Sequence, residues 1–373
     1  MKKLMLVVVL ASLFGWGYAQ PFSADFKKAQ VKKVMTSVAD WQIEHFGEVR
    51  HSPDDWTNGA LYVGMCAWGE MADVAGQKNP YFDFLTKIGN KNGWQPGKRM
   101  YHADDICVAQ MYIDMYRNNG KKNQRMLIPT LARTEWVINH PAEKKKGARF
   151  GTGNTTDSWT WCDALFMAPP VYVRLYNLTG DKKYMKFADR EFKFTYDELY
   201  DQEEKLFFRD NSYIGKQEKN GKKIFWGRGN GWVMGGLCEM LQELPKKDRY
   251  RKFYEGLFKE MAAKVLASQQ ADGYWRASML DPESYPAPET SSSGFFVYAL
   301  AYGVNAGLLS ADEYMPAIRK GWKALVAAVE ENGKLGYVQP IGADPRKVTA
   351  NMTEVYGVGA FLLAGREIYN MSE

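Results

Sequence analysis

Apolar residues recur at helical spacing along most of the chain, in two alternating kinds of segment. Segments of the first kind are rich in Gly, Ala and other small residues, and each follows a run of polar and aromatic residues. Segments of the second kind are amphipathic, as in Phe253, Leu257, Met261 and Val265, which share one helical face. The alternation typical of strands is confined to short pieces such as 205–209. The chain is therefore predicted to be all-α.

The two kinds of segment form a repeat of six helical hairpins. Polar turns of similar composition join helical stretches at 77–81, 180–184, 246–250 and 310–314. Close-packed small-residue helices inside a ring of amphipathic ones make an (α/α)6 six-hairpin barrel. An open α-solenoid is the alternative, but a final helix of the inner type favours closure, with residues 27–46 as its outer partner. The small-residue helices are predicted to begin, at spacings of roughly 45 to 70 residues, near Asn58, Asp105, Asp163, Gly231, Ser293 and Tyr356.

Residues 1–19 have the composition of a secretory signal peptide. Lys2 and Lys3 precede an apolar run at 4–10, and Gly17-Tyr18-Ala19 provides a small-x-small cleavage pattern. No cysteine stands near this point to carry a lipid anchor. We therefore expect export to the periplasm of a Gram-negative host, as a soluble protein without a membrane anchor. No linker divides residues 20–373, which predicts a single domain.

Charge and metal-binding residue types narrow the function classes. The net charge of +6, which would be +4 without Lys2 and Lys3, is a mild excess that suits anionic ligands. No basic stripe or motif suggests nucleic acid. The four histidines lack metal-ligand spacing, so no metal is expected. Four widely spaced cysteines are expected to be buried thiols, although a disulfide stays open: Cys66, Cys107, Cys162 and Cys238.

The polar segments before the inner helices should gather at one end of the barrel, around helix N-termini. They are rich in Trp, Asp, Arg and Asn, and they lie at 54–58, 101–105, 157–163, 226–232, 289–293 and 353–354. Aromatic faces next to carboxylates and amides suit the ring faces and hydroxyl groups of sugars. A carbohydrate-binding funnel is therefore predicted.

Asp163 is the candidate for proton transfer. It stands between two tryptophans and an apolar ALFM run, and such surroundings help a carboxyl keep its proton near neutral pH. Asp105, in contrast, is expected to cap its helix. Arg228 could bind a substrate anion or form a structural ion pair with similar ease, and His102 is more often a core histidine than a catalyst. Packing and sugar stacking are both open for Trp159 and Trp161.

Four segments of this chain resemble motifs of glycoside hydrolase family 105, the unsaturated rhamnogalacturonyl hydrolases. The related family 88, the unsaturated glucuronyl hydrolases, is similar as well. The four segments are HADD at 102–105, WCDALFMAPP at 161–170, FWGRGNGW at 225–232 and SSSG at 291–294. They occur in the family's order and span nearly the whole chain after residue 20. The resemblance implies the same six-hairpin barrel as the repeat.

The resemblance also implies a mechanism that needs no metal or organic cofactor. Its substrate is the unsaturated oligosaccharide that a polysaccharide lyase releases. Asp163 would protonate C4 of the terminal Δ4,5-unsaturated uronic acid and then activate water for attack at C5, while Asp104 would hold sugar hydroxyls and tune Asp163. The residues expected to bind substrate are His102, Trp159, Trp161, Arg209, Trp226, Arg228, Asn230 and Trp232.

One departure from the family pattern leaves the substrate open. Many members carry a histidine where this chain has Arg209, so a glucuronyl substrate is as plausible as a rhamnogalacturonyl one. Three other functions are alternatives for the same residues. They are a two-carboxylate glycosidase acting on saturated sugars through Asp163 and Asp104, a periplasmic glycan-binding protein, and a sugar epimerase, which ranks low because only His102 lies near the site.

Overall fold

The computed structural model describes residues 20–72, 79–142 and 159–373. The proposed signal peptide at 1–19 lies outside these residues, as do positions 77–78 of the first polar turn and 157–158 of the third polar segment. Two short strands, β1 (Tyr200–Asp201) and β2 (Leu206–Phe207), form an antiparallel pair in which Tyr200 faces Phe207. The strand predicted at 205–209 is thus present but shorter.

Helices make up most of the described chain, which confirms the all-α prediction. In chain order they are α1 (Lys28–Glu44), α2 (Trp56–Met71), α3 (Pro80–Lys91), α4 (Ala103–Ile106), α5 (Ala109–Asn118), α6 (Ile128–Asn139), α7 (Ala164–Met167), α8 (Pro169–Thr179), α9 (Lys182–Leu199), α10 (Gly227–Glu243), α11 (Arg251–Ala267), α12 (Thr290–Asn305), α13 (Ala311–Ala327) and α14 (Val355–Asn370). The six predicted inner starts all fall within about one turn of an observed start.

The helices form two concentric layers. The inner layer consists of α2, α4–α5, α7–α8, α10, α12 and α14, and each of these elements contacts the next around the ring. Because α14 contacts both α12 and α2, the ring is closed. The predicted (α/α)6 six-hairpin barrel is therefore confirmed, and the open solenoid is wrong. Helix α1 packs against α14, as predicted for residues 27–46, and the amide of Lys28 donates to the carbonyl of Glu373 (2.9 Å).

Small residues let the inner helices touch through their backbones. Gly64 on α2 lies against Gly359 on α14, and a Cβ atom at either position would collide with the main chain of the other helix. Gly236 on α10 lies in the same way against the carbonyl of Leu165 on α7. The Gly- and Ala-rich composition is thus a requirement of close packing in the inner layer.

The amphipathic helices begin where the polar turns predict. The side chain of Asn79 accepts hydrogen bonds from the amides of Tyr81 (3.1 Å) and Phe82 (3.2 Å), and that of Asp181 accepts one from Lys183 (3.0 Å). These side chains satisfy amide groups that the first turn of a helix leaves unpaired. All four cysteines fall within the described residues, where each is buried and free, so the thiol prediction is confirmed. Across residues 20–72, 79–142 and 159–373, no helix has the length and apolarity that a bilayer crossing requires.

Candidate active site

A backbone bridge assembles the end of the barrel at which the inner helices begin. Trp161 pairs antiparallel with Asp210, and the amide of Cys162 donates to the carbonyl of Arg209 (2.8 Å). The pairing brings the segment after β2 alongside the segment before α7. As a result, Arg209 lies next to Asp163, although the two are far apart in sequence.

Asp163 stands immediately before α7 but makes no capping hydrogen bond with the described residues of that helix. The residue is 8% exposed. Burial raises the pKa of its carboxyl, and the nearby cations Arg209 and Arg228 act in the opposite direction. The thiol of Cys162 lies 3.5 Å from Oδ2 and can donate to it. The carboxyl group therefore has an increased affinity for a proton and no capping role, which suits an acid–base group.

Asp104, on α4, is the second carboxyl of the site. Burial, followed by the negative charge of Asp163, raises the pKa of Asp104 to about 7. Two neighbouring carboxylates are unfavourable when both are ionised, so such a pair retains a proton near neutral pH. Asp104 lies on α4, which packs against α7, and Asp163 stands directly before α7. The two predicted catalytic residues therefore belong to one site.

His102 caps α4 and orients the segment that carries Asp104. Its Nδ1 accepts a hydrogen bond from the amide of Asp104 (3.2 Å), so the neutral ring carries its proton on Nε2. Burial and the positive charge of Arg99 lower the pKa of His102 to about 4, which keeps the ring neutral. The ring of Trp161 lies 5.0 Å from it, centroid to centroid. His102 therefore lies between Trp161 and the segment that carries Asp104.

Asp105 does not cap its helix, contrary to the prediction, because His102 occupies the cap position. Its carboxylate instead accepts hydrogen bonds from the amide (2.7 Å) and Nε (2.8 Å) of Arg99. Arg133 of α6 donates to the carbonyl of Arg99 (3.1 Å). Asp105 thus fixes the loop before α4 rather than the helix itself.

Arg209 is a partly buried cation next to Asp163. Its Nε lies 3.6 Å from Oδ2 of Asp163, and its Nη1 donates to Oδ2 of Asp210 (2.8 Å). Asp210 is itself fixed, because it is buried and accepts from the amide of Ser212 (2.9 Å). The guanidinium group is therefore held in position at the acid, where the prediction places a substrate-binding residue.

Arg228 is fully buried and held by the protein. Its guanidinium group lies between the rings of Trp226 (4.5 Å) and Tyr356 (4.8 Å). Its Nη atoms donate to the carbonyls of Gln339 and Pro340. These contacts hold Arg228 through carbonyl groups and aromatic rings instead of the ion pair considered from the sequence, and its charge also acts on Asp163. Contact between Arg228 and substrate stays a prediction.

Three of the predicted tryptophans are packed deep in the protein. Trp159 donates to the carbonyl of Tyr101 (3.2 Å), and Trp226 donates to Oε1 of Gln339 (3.2 Å). Trp232 packs against aromatic side chains from four other inner helices, which places it at the centre of the ring. Its Nε1 is buried without a hydrogen-bond partner among the described residues. Substrate contact by these tryptophans stays a prediction.

Asn230 is a structural residue, in place of the substrate contact that was predicted. Its Oδ1 accepts from the amide of Phe207 (2.8 Å), and its Nδ2 donates to the carbonyls of Phe207 (3.0 Å) and Trp226 (3.1 Å). It is fully buried, and both ends of its amide are used by the main chain. Asn230 thereby ties β2 to the start of α10 and holds the segment that carries Arg209.

Two residues of the site were missed in the sequence. Gln339 accepts from Trp226 and, through its carbonyl, from Arg228 and the hydroxyl of Tyr356 (2.6 Å). It belongs to no motif and lies far from Trp226 and Arg228 in sequence, so no local signal marks it. Cys162 directly precedes Asp163, and this position is the signal for its role, but the sequence prediction is only of a buried thiol.

The chemistry that these side chains offer is proton transfer to a bound sugar. Across the described ranges, no group of three or more His, Cys, Asp or Glu residues is arranged to hold a metal ion. Two buried carboxyl groups with raised pKa values, set beside cations and aromatic rings at one end of an α/α barrel, are typical of a glycoside hydrolase.

The chain belongs to Glycosyl Hydrolase Family 88, whose family model matches residues 28–372. Two relatives, both called unsaturated 3S-rhamnoglycuronyl hydrolase, come from Formosa agariphila and an Alteromonas species. The first is 39% identical over 100% of this chain and 99% of its own, and the second is 33% identical over 91% and 86%. A solved structure described as a polysaccharide lyase is 33% identical, with a TM-score of 0.80 over 92% of this chain and 98% of that one. The resemblance found in the sequence is confirmed.

Proposed function

We propose that this hydrolase removes a Δ4,5-unsaturated uronic acid from the non-reducing end of lyase-generated oligosaccharides, and that the next sugar is a rhamnose. The observation that carries the proposal is the pair of buried carboxyls, Asp163 and Asp104, in which burial raises both pKa values and the charge of Asp163 raises that of Asp104 further. The names of the two relatives support a rhamnose-linked glycuronyl substrate over a rhamnogalacturonyl one.

The mechanism is hydration of the vinyl ether in the unsaturated sugar. Asp163 delivers its proton to C4, and positive charge develops at C5 and the ring oxygen. The resulting carboxylate takes a proton from water as the water oxygen bonds to C5. The hemiketal then opens to a ketone at C5, and the hemiacetal at C1 releases the neighbouring sugar.

The surrounding charges support both halves of this cycle. Burial favours the protonated form of Asp163 before the reaction, while Arg209 and Arg228 stabilise the carboxylate that forms when the proton leaves. Arg209, held by Asp210, is also the cation best placed for the carboxylate group of the substrate.

We further propose that the protein is exported and works in the periplasm. The support is the pattern of residues 1–19, in which Lys2 and Lys3 precede an apolar run and a small-x-small site. An exported hydrolase of this kind would meet the products of secreted lyases. We expect it to need no cofactor and to bind neither nucleic acid nor membranes.

Ultraviolet absorbance tests the reaction directly, because the conjugated double bond of the unsaturated uronate absorbs and its hydration product does not. We expect absorbance to fall when the protein acts on an unsaturated disaccharide. A lyase would instead raise the absorbance of an intact polysaccharide, and a two-carboxylate glycosidase would act on saturated sugars without this change. Either result would reject the proposal.

Replacing the acid separates catalysis from binding. We expect Asp163→Asn to slow turnover by roughly 100- to 10,000-fold, the usual contribution of a general acid–base group, while binding of the disaccharide persists. Asp181→Asn is the matched control, because Asp181 caps the exterior helix α9 and Asn caps equally well. A glycan-binding protein would show no turnover in either form, and an unchanged rate in Asp163→Asn would remove Asp163 from the mechanism.

A further inference from the structure

A cavity of about 410 Å³ is lined by residues other than those of the carboxyl pair. It is formed between the C-terminal end of α1 and the segment before α14, and its volume is within the range of small-ligand sites. The residues that line it and matter here are Trp41, His45, Arg50, His51, Thr353 and Glu354.

Two of these side chains present unused hydrogen-bond donors. Nε1 of Trp41 and Oγ1 of Thr353 are buried and have no hydrogen-bond partner among the described residues. Buried donors in this state are unfavourable, because they have lost water and gained no acceptor. A ligand with hydroxyl or ether oxygens would supply acceptors to these donors once their side chains turn toward the cavity.

The cavity also has an aromatic wall. The rings of Trp41 and His45 are stacked, with centroids 4.2 Å apart and planes at 13°. Nδ1 of His45 lies 2.8 Å from the carbonyl of Trp41, so Nδ1 donates and Nε2 remains the acceptor of the neutral ring. An aromatic surface flanked by both donors and acceptors is typical of saccharide sites.

The charges around the cavity are mixed rather than of one sign. Nε2 of His51 lies 3.7 Å from Oε2 of Glu354, and Arg50 and Glu48 contribute one charge of each kind. A free anion or cation would meet an opposing charge here, whereas a polyhydroxylated ring can use both. The chemistry therefore favours a saccharide unit.

The position of the cavity links it to the reaction. Glu354 stands directly before α14, two residues from Tyr356, whose ring lies against Arg228. Arg228 acts electrostatically on both Glu354 and Asp163. Glu354, Asp104 and Asp163 all stand at the N-terminal ends of inner helices, so the cavity is at the same end of the barrel as the carboxyl pair.

We propose that this cavity is a subsite for a sugar on the reducing side of the cleaved bond, occupied only by substrates longer than a disaccharide. The inference rests on the proposed function, because it assumes that unsaturated oligosaccharides are the substrates.

The test compares kcat/KM for an unsaturated disaccharide and an unsaturated tetrasaccharide from the same lyase digest. In Trp41→Ala and in the isosteric Thr353→Val, we expect the tetrasaccharide-to-disaccharide ratio to fall about tenfold, as for the loss of one good contact. Trp136→Ala, an exposed tryptophan on the exterior helix α6, should leave the ratio unchanged.

The outcomes separate the two proposals. If the wild-type protein hydrolyses neither oligosaccharide, the proposed function fails and the subsite fails with it. If the wild type is active but the ratio is unchanged in both variants, the subsite alone is wrong. Thr353→Val keeps the shape of the side chain, so its result stands even if Trp41→Ala impairs folding.

Discussion

At Asp163, burial and neighbouring charges act on one proton in opposite directions. Burial raises the pKa, while Arg209 and Arg228 lower it, and the thiol of Cys162 adds a weak donor on the carboxylate side of the balance. A group of this kind can give its proton to C4 and recover one from water in the same cycle. The resulting pKa of Asp163 sets the pH range in which the enzyme works.

The thiol gives a way to move that balance without changing the acid. Cys162→Ala removes a donor that stabilises the carboxylate, so the pKa of Asp163 should rise. Because the first step needs the protonated form, the alkaline limb of the kcat profile should shift to higher pH. We expect a shift of up to about 0.5 pH unit, since a thiol is a weak donor.

A second buried thiol is the matched control for this measurement. Cys238→Ala removes a buried thiol of α10 whose charged neighbours are Glu239, Glu367 and Arg366 rather than the carboxyl pair. Its pH profile should overlay that of the wild type. If the Cys162→Ala profile also overlays it, the thiol does not influence the acid.

Residue types at the site could be predicted, but side-chain directions could not. Asp163 stood out as an acidic residue in apolar surroundings, and Asp104 through the family resemblance. Trp159 and Asn230 stood out for their composition in the same way, yet both are used by the protein itself. Sequence shows which groups are near a helix start, and only the packing decides which face the substrate.

At the scale of elements, β2 matters because it positions the segment with Arg209. Asn230 holds β2 through two hydrogen bonds to Phe207, and Arg209 follows two residues later. Asn230→Ala would leave the buried amide and carbonyl of Phe207 without these partners. We expect the free energy of unfolding to fall by about 2–6 kcal/mol, at roughly 1–3 kcal/mol for each of the two unmatched groups, together with a lower kcat.

Urea unfolding with an activity assay checks this prediction. Asn118→Ala is the control, because Asn118 is exposed and bonds only to the side chain of Glu70 among the described residues (3.1 Å). It should cost less than about 0.5 kcal/mol. Equal midpoints for the two variants would show that the tie between β2 and α10 carries little stability.

The order of elements was the most predictable level of the structure. Small residues within each inner helix, and polar caps such as Asn79 and Asp181 before outer ones, are local signals with local causes. The sequence did not predict that the third inner helix is divided into two, α7 and α8. Ala168 separates α7 from α8, and Pro169 opens α8 because it has no amide to continue the earlier ladder.

At the scale of the whole molecule, the end of the barrel opposite the carboxyl pair is held by buried ion pairs. Arg174 on α8 reaches Asp114 on α5 (3.1 Å) and Glu239 on α10 (2.5 Å), and Tyr298 on α12 donates to the same Glu239 (2.6 Å). Four inner helices are thus joined through one cluster, which was not apparent from spacing along the chain.

Removing the arginine should destabilise the barrel without changing the chemistry. Arg174→Met leaves Asp114 and Glu239 buried without their shared cation, which typically costs about 3–5 kcal/mol. Urea unfolding should show this loss, while kcat of the folded variant stays at the wild-type value. The double variant Arg174→Met/Glu239→Gln should recover part of the stability. A large fall in kcat would show that the two ends are coupled.

The closure of the ring by α14 has a consequence for biosynthesis. This last helix of the described chain contacts α2, near the start of the chain, and α1 packs against the same helix from outside, so these contacts turn a curved array into a closed one. A ribosome releases α14 only after every other helix, so these contacts form late. For a chain that we propose is threaded unfolded through a secretion channel, this delay keeps the polypeptide competent for transport until it reaches the compartment in which it works.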